Sequence, residues 1–184
     1  MGQEIVAVGA TIYAFAIQLS DADRGVYQDL ELRVARHPSE TAPFMLARTL
    51  AYCLEYQDGI ALTAGIAAVD EPAVLVRDLT GRITAWIEVG APDAGRLHRG
   101  SKLAQRCAVY THRDPAPLLE QLAGQKIHRA AEIPLYSFER AFMDAASAAL
   151  ERRAGLSLSV TGRHLYLDVG GRSFNSAIGE HRLG

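Results

Sequence analysis

The chain has 184 residues, of which 49% are hydrophobic and 22% charged, enough for one buried core and a single domain over residues 1–184. A net charge of −2 and a pI near 6.3 exclude a broad basic surface that grips nucleic acid by charge alone, and leave room only for a local basic patch. No apolar run approaches the ~20 residues of a membrane span. The start "MGQEIVAVGA" has no basic leader, and Val6 stands where a myristoylation signal needs Ser or Thr. Cys53 and Cys107 lie in apolar helical patterns and read as buried free thiols, which places the chain in the cytoplasm with no membrane partner.

In chain order, "ATIYAFAIQLS" alternates through Tyr13, Phe15, Ile17 and Leu19 and predicts a strand. "SDADRG" breaks it, and "YQDLELRVAR" resumes the alternation through Leu30, Leu32 and Val34, giving an N-terminal hairpin. "HPSETAPFMLARTLAYCLEYQDG" changes to helical period, with Ser39 or Thr41 as cap and Gly59 as stop. Pro43 is harmless only in a first turn, which favours a cap near Thr41. Three strands follow at "IALTAGIAA", "PAVLVRD" and "ITAWIEVG", the last two joined by a turn at "LTGR". A helix over residues 96–107, a strand "AVYTH" and a helix "PAPLLEQLAG" come next. They are followed by a strand near "AEIPLYSF" and a helix "FERAFMDAASAALERR". "LSLSVTGRHLYLDVGG" alternates on both sides of Thr161 and Gly162, a C-terminal hairpin. The order predicts an α/β or mixed α+β fold, a mixed sheet flanked by helices with a β-hairpin at each end.

The stretch "DEPAVLVRDLTGRITAWIEVG" sets acids inside and around apolar strands. A turn at Thr80 and Gly81 pairs Val74 with Ile87 and Ala73 with Glu88. Glu71 then falls opposite Gly90 on the Glu88 face, and a one-residue change in the turn substitutes Asp70. Glu40, one turn before Phe44 on the same helix face, could overhang the strand ends as a third acid. Converging carboxylates need a cation, and a hard divalent ion such as Mg²⁺ suits them. The competing reading is structural: Asp70 or Glu71 caps a turn, Glu40 favours a helix start, and Glu88 pairs with an arginine.

The remaining chemistry-bearing residues form no motif. None of the six histidines stands four residues from another beside a glutamate, as a zincin requires, and "DVGGRS" is too short and misplaced for a phosphate loop. His37 and Arg36 could each reach an acid or simply flank a helix start. Trp86, on the Glu88 face, could line a pocket or fill the core.

The stretches "SDADRGVYQDLELRVARHPSET", "DEP", "WIEVGAPD" and "GRLHR" together resemble the YaeQ family along essentially the whole chain. The resemblance implies a variant PD-(D/E)XK nuclease-like core. Glu40 then corresponds to the helix glutamate, Asp70 or Glu71 to the first motif acid, and Glu88 to the (D/E) position. It implies Mg²⁺ or Mn²⁺ held by Glu40, Asp70, Glu71 and Glu88. At the motif lysine this chain has Gly90. Arg96, Arg99, Lys102 and Arg106 recur at helical spacing. A wheel turns Lys102 away from the apolar side carrying Leu97, Gly100 and Ala104, and sets Arg96 and Arg99 at its flanks. Arg96 or Arg99 is therefore the expected substitute cation, although arginine is a poor general base. Two functions follow: a Mg²⁺-dependent phosphodiester hydrolase acting on nucleic acid, or a non-catalytic binding or regulatory protein that retains the fold and acidic pocket.

Overall fold

The computed structural model describes residues 9–64 and 69–184. Strands β1 (Thr11–Asp21) and β2 (Val26–Arg36) form the expected hairpin, paired from Thr11 with Arg36 to Asp21 with Val26. Their alternation puts Phe15, Ile17, Leu19, Leu30, Leu32 and Val34 into the core. Helix α1 (Ala42–Leu54) begins at Thr41, whose hydroxyl accepts the Phe44 N–H at 3.2 Å, with Pro43 in the first turn. Glu40 precedes this cap and is not on the helix, so the helical-face argument for it fails. Strand β3 (Ile60–Leu62) is shorter than its apolar run, and residues 65–68 of that run lie outside the described residues.

Strands β4 (Val74–Arg77) and β5 (Ile83–Val89) pair Val74 with Ile87 as the turn argument requires, with a bulge beside Arg77. Helix α2 (Ala94–Leu103), capped by Asp93, stops short of the expected end at 107, because Ala104 is already extended. Arg106 and Cys107 belong instead to β6 (Arg106–Thr111), where Cys107 pairs with Trp86, so Arg106 is not part of the α2 basic stripe. Helix α3 (Pro115–Leu122), β7 (Pro134–Phe138) and α4 (Arg140–Ala148) follow, the last shorter than its sequence pattern because Arg153 already opens β8 (Arg153–Thr161). Strand β9 (His164–Val169) pairs Thr161 with His164, so the turn is Gly162 and Arg163, one residue later than expected. Both have positive φ, 59° and 56°, as a two-residue hairpin turn of this hand needs.

An eleven-residue strand that the alternation did not reveal, β10 (Arg172–Arg182), turns back at Gly170 and Gly171, both also at positive φ. Among the described residues one ten-stranded mixed sheet results, in the order β2-β1-β8-β9-β10-β7-β6-β5-β4-β3. In the parallel run β5-β6-β7, one face packs on α1 and α4 through Ile87, Val89, Ala108 and Tyr110. The other carries α2 and α3 through Trp86, Cys107 and Val109. No helix among the described residues is long and apolar enough to cross a membrane.

Candidate functional site

Parallel β5 and β6 point their carboxyl ends the same way as the C-terminal end of β3, and the 69–73 segment returns there to start β4. Alternation on β5 sends Trp86 and Glu88 to the α2 face and Ile87 and Val89 to the α1 face. Glu88 is 4% exposed, and its carboxylate is fully engaged on one side. Its Oε1 accepts the Trp86 indole N–H at 2.8 Å and the Arg96 Nε–H at 3.0 Å, and Oε2 faces Arg96 Nη2 at 3.4 Å. Arg96 also donates Nη1 to the Val69 carbonyl and Nη2 to the Glu71 carbonyl, both at 2.7 Å. Burial pushes the Glu88 carboxyl above the usual carboxylate range, and the Arg96 charge and the Trp86 N–H pull it part of the way back.

Around this pair the fold is close-packed. A Cβ on Gly100 would stand 2.5 Å from the Trp86 ring, so α2 lies directly on the indole. Gly90, two residues after Glu88, has φ +93°, and a Cβ there would meet Phe44 at 2.8 Å. The space a side chain would need there belongs to a ring from α1. Arg99 stands 4.0 Å from the Asp70 carboxylate and 5.9 Å from the Trp86 ring centroid. With the Asp70 side chain 90% exposed, that ion pair is weak. The Glu71 side chain is exposed, and only its backbone carbonyl joins the network. Lys102 is exposed, as the wheel predicts.

Glu40 has a partner of its own. Its carboxylate and the Arg48 guanidinium are both fully buried, 2.8 Å apart, and Arg48 also donates to the carbonyls of Ala35 and Thr63. The His37 backbone N–H, not its ring, reaches Glu40; the ring turns to Ser39. Arg36 donates to the Glu40 carbonyl and not to any candidate carboxylate. α1 packs on the Ile87 side of the sheet, while Arg48 reaches the Thr63 carbonyl and the Thr63 hydroxyl donates to the Pro72 carbonyl, one residue from the Glu71 carbonyl that Arg96 holds. Arg48 was missed in the sequence, although an arginine on the apolar face of "FMLARTLAYCL" is itself the signal of a buried partner. A second missed cluster joins the two ends of that helix's layer. Glu55, at the end of α1, accepts two 2.7 Å bonds from Arg106 and one of 2.7 Å from the buried Tyr110 hydroxyl.

As arranged, these residues do not fit a divalent metal. Among the described residues no three His, Cys, Asp or Glu side chains gather as a metal-holding group. Octahedral Mg²⁺ needs oxygens at ~2.1 Å, whereas the lone pairs of Glu88 are directed at N–H donors. A trough of about 1060 Å³ lies far off in the sheet, over Ala14 and Ala16 between Arg33 and Arg153, and none of the six candidate residues lines it.

Fold and site define a mixed α/β protein with an arginine-held glutamate at the end of a buried parallel strand. A family model described as YaeQ protein matches residues 6–178, and the chain belongs to the YaeQ family. It is 36% identical over 111 residues to the uncharacterized protein YaeQ of Escherichia coli K12, and 35% identical over the same length to that of Salmonella typhi. The match spans 60% of this chain and 61% of those relatives' length. The crystal structure of YaeQ protein from Pseudomonas syringae superposes with a TM-score of 0.85 at 26% identity, covering 97% of this chain and 100% of that one. That from Xanthomonas axonopodis pv. citri, at 23% identity, shares the fold with a TM-score of 0.80 over 94% of this chain and 98% of its own.

Proposed function

We propose that this chain is a binding or regulatory protein on a PD-(D/E)XK nuclease-like scaffold, and that it works without hydrolysing phosphodiesters. The observation that carries the reading is that each of the two buried acids already has its own arginine. Glu40 is held by Arg48 at 2.8 Å and Glu88 by Arg96 at 3.0 Å, so neither carboxylate is left without a cation. A carboxylate already paired and hydrogen-bonded gains little from a metal that must first displace its partner. Gly90 adds to this, because its seat against Phe44 leaves no room for a lysine. The rival hydrolase reading rests on Asp70 and Glu71, exposed beside Glu88 with Arg99 near, where a nucleic acid could approach.

Calorimetric titration of Mg²⁺ and Mn²⁺ into wild type and Glu88→Gln, with a cleavage assay on single-strand and duplex DNA, separates the two. No heat at millimolar metal and no cleavage are expected. Metal binding that disappears in Glu88→Gln, accompanied by cleavage, would establish the hydrolase instead.

A further inference from the structure

We infer that the cation of the Glu88 site is the protein's own: Arg96 fills the place a metal would take and latches the 69–71 segment onto the end of β5. This rests on the non-hydrolytic reading of the same site. Three donor nitrogens of one guanidinium reach four acceptors on two separate elements, Glu88 Oε1 and Oε2 on β5 and the carbonyls of Val69 and Glu71 beyond it. One carboxylate and two carbonyls turned on a single point are hard oxygen ligands, the set that elsewhere holds a divalent ion. Here a planar fork with five N–H donors satisfies them. A lysine could not, since a point charge with three donors cannot lie flat between a side chain and two carbonyls in this geometry.

The device is anchored on both sides. Asp93 caps α2 through the Arg96 backbone N–H at 2.8 Å, fixing the root of the side chain. Trp86, the single tryptophan, fixes Glu88 Oε1 from below. The groups facing Glu88 are Arg96 and Arg99 from α2, Trp86 on its own strand, and Cys107 on β6, with exposed Asp70 and Glu71 outside. Removing Arg96 thus removes the nearest positive charge and both ties to the 69–71 carbonyls at once.

Because Trp86 touches Glu88, its fluorescence reads the glutamate's protonation. In Arg96→Ala the pH midpoint of Trp86 emission is expected to rise by about one pH unit or more, and 10–20 mM guanidinium should return it, on the order of what an adjacent opposite charge contributes. An aspartate-directed protease should cut the peptide bond between Val69 and Asp70 at least ~10-fold faster in the variant, since the carbonyl Arg96 holds is that of the bond cut. Arg96→Lys, which keeps the charge but not the fork, should restore the midpoint and leave the fast cutting; it also carries the comparison should Arg96→Ala fail to fold. An unchanged midpoint with unchanged cutting in Arg96→Ala, or slow cutting in Arg96→Lys, overturns this inference and leaves the binding-protein reading standing. Glu88-dependent Mn²⁺ binding by the wild type overturns both.

Discussion

Replacing Gly90 by alanine sets two costs against one methyl group. The backbone at φ +93° is a conformation that L side chains rarely adopt, and holding one there costs roughly 1–3 kcal/mol. The new Cβ would also come within 2.8 Å of Phe44 Cε2, which forces the ring or α1 to shift, another ~1–3 kcal/mol for overpacking. Phe44 is half-buried and can yield, so the sum is expected at about 2–4 kcal/mol. Urea unfolding followed by Trp86 fluorescence measures it. The same substitution on a Phe44→Ala background isolates the backbone part, and its cost should fall by about 1–2 kcal/mol. A Gly90→Ala loss within ~0.5 kcal/mol of wild type would refute the steric account, and a lysine at this position would then be admissible.

Two further outcomes test the buried charges. Arg48→Ala leaves Glu40 buried without its partner and should cost about 3–5 kcal/mol in thermal or urea unfolding, with Arg48→Met on a Glu40→Gln background costing far less. The Glu88 carboxyl titrates above its unfolded value, so its contribution to stability is fully present below that unfolded value and is lost as pH rises through the folded one. Wild type should therefore lose stability relative to Glu88→Gln as pH rises above the ordinary carboxylate range; parallel urea midpoints over that rise would contradict the upward shift.

Features set by local periodicity were open to reading from the sequence. Phe15, Ile17 and Leu19 alternate because one side of β1 meets the core, and Val74 finds Ile87 because the turn length fixes the register. The bulge beside Arg77 changes the count at the turn without disturbing the far end of the pair. Glu88 was identified as a costly buried acid and Arg96 as the cation on its flank, and the two do meet, at 3.0 Å. Glu40 was misplaced because nothing local says on which side of the cap a residue between Ser39 and Thr41 falls, and a one-residue shift there changes its face. Arg106 was misassigned because "KLAQRCAVY" carries apolar residues at both periods, and its attachment to Glu55, 51 residues away, is a tertiary choice. β10 was hidden by Ser173, Asn175 and Ser176, small polar residues that carry little apolar signal, although the paired glycines before it mark a hairpin.

The last strand among the described residues, β10, joins the two halves of the sheet. Residues 172–177 of β10 pair with β9, and residues 178–182 pair with β7. The half of the sheet made of β1, β2, β8 and β9 thus draws strands from both ends of the chain, and Asp23 in the first hairpin binds the backbone of Gly162, 139 residues later. During synthesis the β1 edge of the first hairpin has no strand to pair with until β8 leaves the ribosome. Pairing over such separations slows folding, because the loop must close before the contacts form.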